Sequence, residues 1–197
     1  MRYHLGCGGD IKPGYVNVDM YSAKAQVRED LLTMKYQPSS HIESHHVFEH
    51  FTYVNSLVLL VKWSMALKMG GTLQVDIPDV ERLAAALPGA GLAMQRGIMR
   101  LIFGSHEAGW AYHINGWTEP MFRETIKYFG LDMVSTRRYG GPQSDFPHMG
   151  MEFLARKVRQ ETKEHMVNSA CAMLANYTHP NEHQLRALFQ QQMRQGI

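Results

Sequence analysis

The sequence predicts an α/β fold built on a mostly parallel sheet, and three observations support this prediction. A short strand-like segment at residues 2–5 runs directly into a glycine turn at residues 6–9. A second short strand follows and ends on the carboxylate of Asp19. Further along, apolar residues at helical spacing from Val54 precede an alternating strand pattern at residues 72–77. A strand, a glycine turn, a strand and an acid in this order are typical of domains that hold a nucleotide-like cofactor.

Length and composition favour a single globular protein in a reducing compartment. With 197 residues, 45% of them hydrophobic and 19% charged, the chain can bury one α/β core. The formal net charge of +2 gives no argument for a nucleic-acid or membrane partner. The cysteines Cys7 and Cys171 lie far apart in sequence, so a disulfide framework is not expected. Because no signal peptide or membrane-spanning run is visible, we expect a cytoplasmic protein.

In the first half of the chain, the pattern predicts five strands and one long helix. Few residues separate the first two strands, so the usual crossover helix should shrink to a loop. The fourth strand rests on context alone, because it is rich in histidine, glutamate and serine. The helix from Val54 should end at Gly70–Gly71. The predicted strands are residues 2–5, 15–18, 27–30, 42–46 and 72–77.

The second half predicts further helices and a final pair of strands. Residues 79–103 have a helical pattern with a break at Pro88–Gly89. Thr118 is a good N-cap for the next helix. Residues 131–139 and 150–157 should form an antiparallel pair of strands.

The C-terminal residues 158–197 are predicted to form a helical extension of a domain that covers residues 1–157. Two apolar stripes at helical spacing mark its helices. Asn181 and Gln184 resemble a capping box that opens the second helix. These helices could pack on the domain or on a second copy, and we expect a homodimer through them. The stripes consist of Met166, Val167, Ala170, Met173, Leu174 and Tyr177, then Leu185, Leu188, Phe189 and Met193.

Five short motifs follow one another in a fixed order within residues 2–157. They are Leu5-Gly6-Cys7-Gly8-Gly9, Lys12-Pro13-Gly14-Tyr15-Val16-Asn17-Val18-Asp19, Asp30-Leu31, Val47-Phe48-Glu49-His50 and Leu67-Lys68-Met69-Gly70-Gly71. Together they resemble the class I S-adenosylmethionine-dependent methyltransferases, and most of all a compact branch with the pattern LGCG, PGYxNVD and EH. The resemblance implies a Rossmann-like fold with a mostly parallel seven-stranded sheet and an antiparallel last hairpin. It also implies S-adenosylmethionine as the cofactor.

The same resemblance assigns residues to the methionine end of the cofactor. Gly6, Cys7 and Gly8 would line this end, because glycines let the backbone approach a ligand without a Cβ in the way. His46 would contact the amino group of the cofactor through its backbone carbonyl.

Other residues are assigned to the ribose and the adenine. Asp19 would accept hydrogen bonds from both ribose hydroxyls, and Met20 would pack on the adenine ring. Asp30 would bind the adenine amino group, while the Leu31 N–H would meet a ring nitrogen. A carboxylate that accepts two hydroxyls makes charge-assisted hydrogen bonds of about 1.5–3 kcal/mol each.

Two other cofactors are less compatible with the sequence. A dinucleotide fingerprint requires Gly or Ala where Ile11 stands, and Asp19 comes sooner than the about 20 residues that this pattern expects. Residues 46–50 match H-x-x-E-H, the signature of inverted zinc proteases. A functional zinc motif lies within a helix and needs a third ligand, whereas this one follows a predicted strand. We therefore expect neither nicotinamide nor a metal ion.

The acceptor should be held by residues 79–117, by the loop at residues 140–149 or by a partner subunit. Aromatic and polar residues concentrate at residues 104–117, which suits the wall of a pocket. The expected reaction is an in-line attack by an oxygen or nitrogen atom of a small molecule or sugar-like acceptor, assisted by a base. The candidates for that base, in falling order, are His113, His106, His50 and Asp79.

Two further functions were weighed against this one. The asparagine–proline motif typical of amino-directed DNA methylation is absent, and Ile-Pro-Asp at residues 77–79 stands near its place. DNA methylation is therefore disfavoured, in line with the near-neutral charge. The alternative function is that of a non-catalytic binding subunit in a larger assembly that keeps the cofactor fold. The short first crossover and the polar fourth strand favour this alternative.

Overall fold

A six-stranded sheet forms the centre of the computed structural model, which describes residues 1–141 and 148–197. The strands are β1 (Arg2–Leu5), β2 (Val16–Val18), β3 (Ser39–His45), β4 (Leu67–Pro78), β5 (Leu131–Gly141) and β6 (His148–Lys157). They lie in the order β2-β1-β3-β4-β6-β5. The pairs from β2 to β4 are parallel, and β6 is antiparallel to both β4 and β5. The predicted parallel sheet with an antiparallel last hairpin is confirmed.

Helices pack against the strands of this sheet and against one another. The α-helices in the described residues are α1 (Tyr53–Ala66), α2 (Val80–Ala86), α3 (Leu92–Phe103), α4 (Glu119–Lys127), α5 (Lys163–Tyr177) and α6 (His183–Gln195), with 3-10 turns at Phe48–His50 and Leu87–Gly89. In this part of the chain, none of the helices has both the length and the apolar character that a bilayer span requires.

The predicted third strand at residues 27–30 is wrong, and with it the count of seven strands. In the described structure Val27 forms only a single parallel bridge to Val18 beside β2. Its N–H donates to the Asn17 carbonyl at 3.1 Å, and its carbonyl accepts from the Asp19 N–H at 3.1 Å. The next three residues, Arg-Glu-Asp, are all charged, so they do not continue a buried strand. In the described part of the chain, Val27 alone occupies the position beside β2 where a seventh strand was predicted.

Helix α1 ends at Ala66, and the prediction that Gly70–Gly71 closes it is wrong. The backbone becomes extended at Leu67, where β4 begins and pairs with β3. Both glycines lie inside β4, next to an irregularity in that pairing. A Cβ on Gly71 would lie 3.1 Å from the Ser40 carbonyl oxygen, so glycine here allows two strands to approach closely.

A cluster of buried aromatic rings fixes the segments that lead to the carboxyl ends of the strands. Phe48 of the first 3-10 turn packs against Trp63 of α1, with ring centroids 5.7 Å apart. It also contacts Trp117, which precedes α4, at 5.4 Å. Phe122 of α4 in turn stacks on Phe153 of β6 at 4.3 Å. Because all five side chains are fully buried, the first 3-10 turn and the segment before α4 are anchored to the sheet.

The helical region at residues 79–103 is interrupted as predicted. Pro88 lies in the 3-10 turn between α2 and α3. Leu83 of α2, Ile98 of α3 and Met149 of β6 form a small second core. The predicted N-cap is also confirmed, because the Thr118 side chain accepts from the Met121 N–H at the start of α4.

The C-terminal helices α5 and α6 pack against each other and against α1. Leu174 of α5 and Met193 of α6 are fully buried in the main core. The predicted capping box is wrong, because the N-cap of α6 is Glu182, whose carboxylate accepts from the His179 N–H at 2.7 Å. Leu188 stays 48% exposed. A homodimer through these helices stays a prediction, as does the domain boundary after residue 157.

Candidate active site

An open cleft of about 740 Å³ lies at the carboxyl ends of β1, β2 and β3. This is where ligands bind in open α/β sheets. We call one part of its lining the glycine side: Gly6, Gly8, Gly9, Asp19, Met20, Tyr21, Ser22, Glu29, Asp30, Leu31 and Leu32. We call the other part the aromatic side: His46, Val47, His50, Phe51, Asn55, Gly109, Trp110, Tyr112 and Ile114.

The turn after β1 has a backbone conformation that favours glycine. Gly6 has a φ of +65° and Gly8 a φ of +51°, both in the left-handed region where a Cβ is disfavoured. A Cβ on Gly6 would also overlap with Cγ2 of Val47, whereas one on Gly8 would meet no described atom within 4 Å. The Cys7 N–H donates to the Val18 carbonyl at 3.1 Å, so the turn is tied to the end of β2.

Asp19 is held at the end of β2 by three backbone N–H groups. Its Oδ2 accepts from Gly8 at 2.9 Å. Its Oδ1 accepts from Tyr21 at 2.8 Å and from Ser22 at 2.7 Å. These bonds orient the carboxylate, and its oxygens keep further lone pairs that can accept from hydroxyl groups. The turn and Asp19 together form a preorganised polar end of the cleft.

A tight turn at Asp30 completes the glycine side. The Asp30 Oδ1 accepts from the Leu32 N–H at 2.9 Å. Its carbonyl accepts from Thr33 at 3.1 Å and from Met34 at 2.9 Å. Leu31 is only 6% exposed, and it packs in the core while still bordering the cleft. The turn therefore brings one carboxylate and one apolar side chain to the cleft.

Half-exposed aromatic and apolar side chains line the mouth of the cleft. Tyr21 of the glycine side stacks on Trp110 of the aromatic side, with ring centroids 5.9 Å apart and an angle of 28°. Met20 and Trp110 are 49% and 47% exposed. Large apolar side chains that stay exposed around a concave site are typical of ligand-binding surfaces.

His46 starts the aromatic side in a backbone conformation that is uncommon outside glycine, with a φ of +51°. Its Nδ1 lies 3.2 Å from Glu49 Oε1, and its Nε2 lies 3.4 Å from the Tyr139 hydroxyl. That hydroxyl donates to Asp76 Oδ1 at 2.7 Å, so it can accept from His46. The hydrogen bond to Glu49 raises the pKa of His46. Both ring nitrogens are therefore placed to donate, as in an imidazolium.

Glu49, His50 and His113 form what we call the His50 cluster. The Nδ1 of His50 lies 2.8 Å from the Tyr112 carbonyl, and the Nδ1 of His113 lies 2.8 Å from the Leu101 carbonyl. The ring centroids are 4.9 Å apart, and His113 Nε2 is 3.8 Å from Glu49 Oε1. A carbonyl only accepts, so each Nδ1 carries a proton and each neutral ring presents a lone pair at Nε2. Burial lowers the pKa of His113, which favours this neutral form.

Comparisons with known proteins agree on the fold. No family model matches the sequence, and no curated protein matches it. Among solved structures, the chain resembles Burkholderia thailandensis 1,6-didemethyltoxoflavin-N1-methyltransferase with bound 1,6-didemethyltoxoflavin and S-adenosylhomocysteine. The identity is 12%, the match covers 80% of this chain and 71% of that chain, and the TM-score is 0.55.

Two S-adenosylmethionine-dependent methyltransferases show the same likeness. For the protein from Clostridium acetobutylicum the identity is 12%, the coverage 80% of this chain and 84% of that chain, and the TM-score 0.52. For the protein from Mesorhizobium loti the identity is 16%, the coverage 79% and 89%, and the TM-score 0.52. This chain has a Rossmann-like methyltransferase fold. The fold class predicted from the sequence is thus confirmed.

The fold brings seven of the eight predicted cofactor residues to one cleft. The side chain of Cys7 does not line it, because it is 4% exposed and its Sγ donates to the Gly8 carbonyl at 3.8 Å. Burial raises the pKa of this thiol, so it acts as a packing group under the turn. The seven that line the cleft are Gly6, Gly8, Asp19, Met20, Asp30, Leu31 and His46.

The four predicted bases lie in different places. His50 lines the cleft, and His113 lies beside it within the His50 cluster. His106 is exposed, and its Nε2 lies 2.8 Å from a backbone carbonyl outside the cleft. Asp79 is fully buried as the N-cap of α2, and Arg138 donates to both of its oxygens at 3.3 and 3.2 Å. We keep only His50 and His113 as candidates for acceptor chemistry.

Sequence reasoning missed three residues of the site. Tyr21 and Asn55 line the cleft, and Glu49 is the buried partner of the histidines around it. The signal for Glu49 was present in the H-x-x-E-H pattern and in the Val47-Phe48-Glu49-His50 motif of the resemblance, but neither was used to give Glu49 a role in the site. In the predicted acceptor loop at residues 140–149, residues 142–147 lie outside the described part of the chain.

Proposed function

We propose that this chain is an S-adenosylmethionine-dependent methyltransferase that acts on an oxygen or nitrogen atom of a small molecule or sugar-like acceptor. The observation that carries the proposal is the contact of the Gly6–Gly8 turn with Asp19 at one end of the cleft. The cleft volume of about 740 Å³ is in the range of small-molecule sites. A net charge of +2 supports a small acceptor rather than a nucleic acid. The proposed place of action is the cytoplasm.

The residues of the glycine side fit the parts of S-adenosylmethionine. At Gly8 a Cβ would meet no described atom within 4 Å, so the turn leaves no side chain between this backbone and a ligand. The oriented carboxylate of Asp19 would accept from the ribose hydroxyls. Asp30 would hold the adenine amino group, and Met20 offers an exposed apolar surface for the ring. These contacts would pair the two carboxylates with hydroxyl and amino hydrogens, and the Met20 side chain with the adenine ring.

When bound, S-adenosylmethionine supplies a methyl group on a positively charged sulfonium centre. The protein then has to hold the acceptor atom in line with that group and keep water out. Positioning of this kind can supply about 7–11 kcal/mol of barrier lowering. The rings of Trp110 and Tyr112 on the aromatic side offer flat surfaces for a planar or sugar-like acceptor.

The acceptor would be activated at the His50 cluster. His50 is the member that lines the cleft, and its Nε2 presents a lone pair because Nδ1 is turned to the Tyr112 carbonyl. His113 and Glu49 lie directly beside it. A group that removes the acceptor proton typically contributes about 10²- to 10⁴-fold to the rate.

A transfer assay tests the proposal. The protein would be incubated with methyl-labelled S-adenosylmethionine and a panel of sugars, phenols and heteroaromatic amines, and products would be identified by mass spectrometry. We expect one acceptor class to gain a labelled methyl group, and we expect Asp19→Asn to lose most of this activity. Cofactor binding without transfer to any acceptor would favour the non-catalytic subunit instead. The absence of both binding and transfer would contradict the proposal.

A further inference from the structure

We propose that Glu49, His50 and His113 bind a divalent transition-metal ion at the edge of the cleft. One donor atom from each residue lies within 4.8 Å of the other two. In a tetrahedral site with ion–ligand distances of about 2.0–2.2 Å, donor atoms are roughly 3.4 Å apart. The distance of 3.8 Å between His113 Nε2 and Glu49 Oε1 is already near that value. Small side-chain rotations would complete the site.

Both histidines are oriented as ligating histidines usually are. A metal-bound histidine almost always donates its second ring N–H to a carbonyl, a carboxylate or water, which fixes the tautomer. The Nδ1 atoms of His50 and His113 each lie 2.8 Å from a backbone carbonyl. The two Nε2 lone pairs are therefore available without a change of tautomer.

Glu49 has an oxygen that the protein does not satisfy. Its side chain is 2% exposed, and Oε1 lies 3.2 Å from His46 Nδ1. Oε2 is buried and has no hydrogen-bond partner among the residues that the structure describes. A buried carboxylate oxygen of this kind calls for a ligand, an ion or a water. Two imidazole nitrogens with one carboxylate oxygen suit first-row transition ions such as Zn²⁺, Mn²⁺ and Co²⁺.

A second histidine–glutamate cluster, which we call the His45 cluster, also has a buried carboxylate oxygen without a hydrogen bond to a described residue, Glu43 Oε1, but it already contains a cation. The donor atoms of His4, Glu43 and His45 lie as close together as those of the His50 cluster. There, however, the Lys12 ammonium makes an ion pair with Glu43 Oε1 at 2.5 Å and lies 3.3 Å from His45 Nε2. A resident cation occupies the place that an ion would take. The His45 cluster therefore serves as the internal control.

The place of the ion gives it a role in the proposed function, on which this part of the inference rests. His50 lines the cleft, so an ion bound to it would lie at the edge of the space proposed for the acceptor. Three protein ligands with an open position are typical of catalytic rather than structural ions. An ion there would bind the acceptor atom and lower its pKa, with His50 as a ligand rather than as the base. The sequence disfavoured a metal because the H-x-x-E-H motif follows a predicted strand, whereas the proposed ligands are two residues of that motif and His113 from a distant segment.

Ion binding can be measured on the full chain without a histidine tag. The protein would be stripped with a chelator and titrated with Co²⁺ and Zn²⁺, with calorimetry for the stoichiometry and visible absorption for the Co²⁺ ligand field. We expect one ion per chain, and a 10- to 100-fold loss of affinity in His113→Gln and Glu49→Gln, the typical cost of disturbing a metal site. His45→Gln should bind as the wild type does. Circular dichroism would confirm that each variant is folded.

Three results would overturn the inference: no saturable binding, binding that survives all substitutions in the His50 cluster, or binding that depends on His45. Binding of S-adenosylmethionine to the ion-free protein would be measured in parallel. If the ion does not bind while the cofactor does, the metal site is wrong and the proposed function stands. If neither binds, both are wrong.

Discussion

The glycine side of the cleft consists of main-chain turns that directly follow strands, whereas the aromatic side consists of side chains from separate segments. On the glycine side, Asp19 is fixed by three backbone N–H groups within a few residues of β1 and β2. On the aromatic side, His50 is fixed by the carbonyl of Tyr112, far along the chain. The first side depends on local backbone geometry, and the second depends on tertiary packing. We therefore expect substitutions on the two sides to impair the protein in different ways.

The largest expected effect is on the aromatic side, in His50→Gln. Glutamine keeps a polar side chain but lacks an imidazole that can take a proton or bind an ion, so turnover should fall by about 10²- to 10⁴-fold. Affinity for S-adenosylmethionine should stay unchanged, because His50 is not among the residues proposed to hold the cofactor. Initial rates and calorimetry would measure the two quantities separately.

His106→Gln is the matched control for this variant. His106 was also predicted as a base, but it is exposed and does not line the cleft. Turnover should therefore be close to that of the wild type. A loss of turnover in His106→Gln equal to that in His50→Gln would contradict the assignment of acceptor chemistry to the His50 cluster.

The next effect concerns the backbone of the glycine side. Gly6→Ala would force a Cβ into the left-handed region, at about 1–2 kcal/mol, and against the side chain of Val47, at about 1–3 kcal/mol. The free energy of unfolding should fall by the sum, roughly 2–5 kcal/mol. Gly8→Ala has the strained φ without the overlap, so it should lose only about 1–2 kcal/mol. Urea unfolding would compare the two, and equal losses would show that Val47 does not restrict this turn.

A third effect tests the hydrogen bonds that support the aromatic side from the sheet. Tyr139 donates to Asp76, and Tyr139→Phe would leave that carboxylate without this donor at a cost of about 1–3 kcal/mol. Desolvation raises the pKa of Asp76, but hydrogen bonds from His45 and Tyr139 outweigh it, and the pKa lies below its ordinary value of 3.8.

The sign of the pH dependence follows from that lowered pKa. The stability contributed by Asp76 is complete above pH 3.8, and it is lost as the pH falls through the lower pKa of the folded state. The difference in unfolding free energy between the wild type and Tyr139→Phe should therefore shrink in acid. Tyr128→Phe, at an exposed ring, is the control. A difference that grows in acid would contradict this account.

The smallest effect is expected from Trp110→Ala. Its ring stacks on Tyr21 and is 47% exposed at the mouth of the cleft, where we propose that it also packs on the acceptor. Loss of that second contact should cost about 0.5–1.5 kcal/mol, the value of an aromatic pair. This predicts up to about a tenfold rise in the KM of the acceptor with little change in kcat. Leu92→Ala, at a 72% exposed position of α3, should change neither. A large fall in kcat instead would place Trp110 closer to the chemistry than its stacking suggests.

The same contrast explains what could be predicted from the sequence. The strand, the glycine turn and Asp19 are neighbours in sequence, and their roles follow from backbone geometry alone. The residues predicted to bind the cofactor therefore meet in one cleft, apart from the side chain of Cys7, and their role in binding stays a prediction. The predicted third strand was wrong, because the three charged residues after Val27 oppose a buried strand and, in the described structure, only Val27 of this segment pairs with β2.

That the residues of the aromatic side meet in one site could not be predicted from the sequence, because they come from distant segments of the chain. His50 and His113 meet where Phe48 and Trp117, two and four residues from them along the chain, pack together in the core. No local periodicity reports such a contact between distant segments. Asp79 was chosen as a base for its position after β4, but its burial and its ion pair with Arg138 depend on β5. Side-chain networks of this kind become visible only in the folded chain.

The account depends most on the proposal that the glycine side binds S-adenosylmethionine. Calorimetric titration of the wild type and of Asp19→Asn with this cofactor tests it directly. We predict saturable binding with one site per chain, and binding about 10- to 100-fold weaker in Asp19→Asn, the loss of a charge-assisted hydrogen bond of about 1.5–3 kcal/mol. No binding at millimolar cofactor, or equal affinity in the two proteins, would contradict the account.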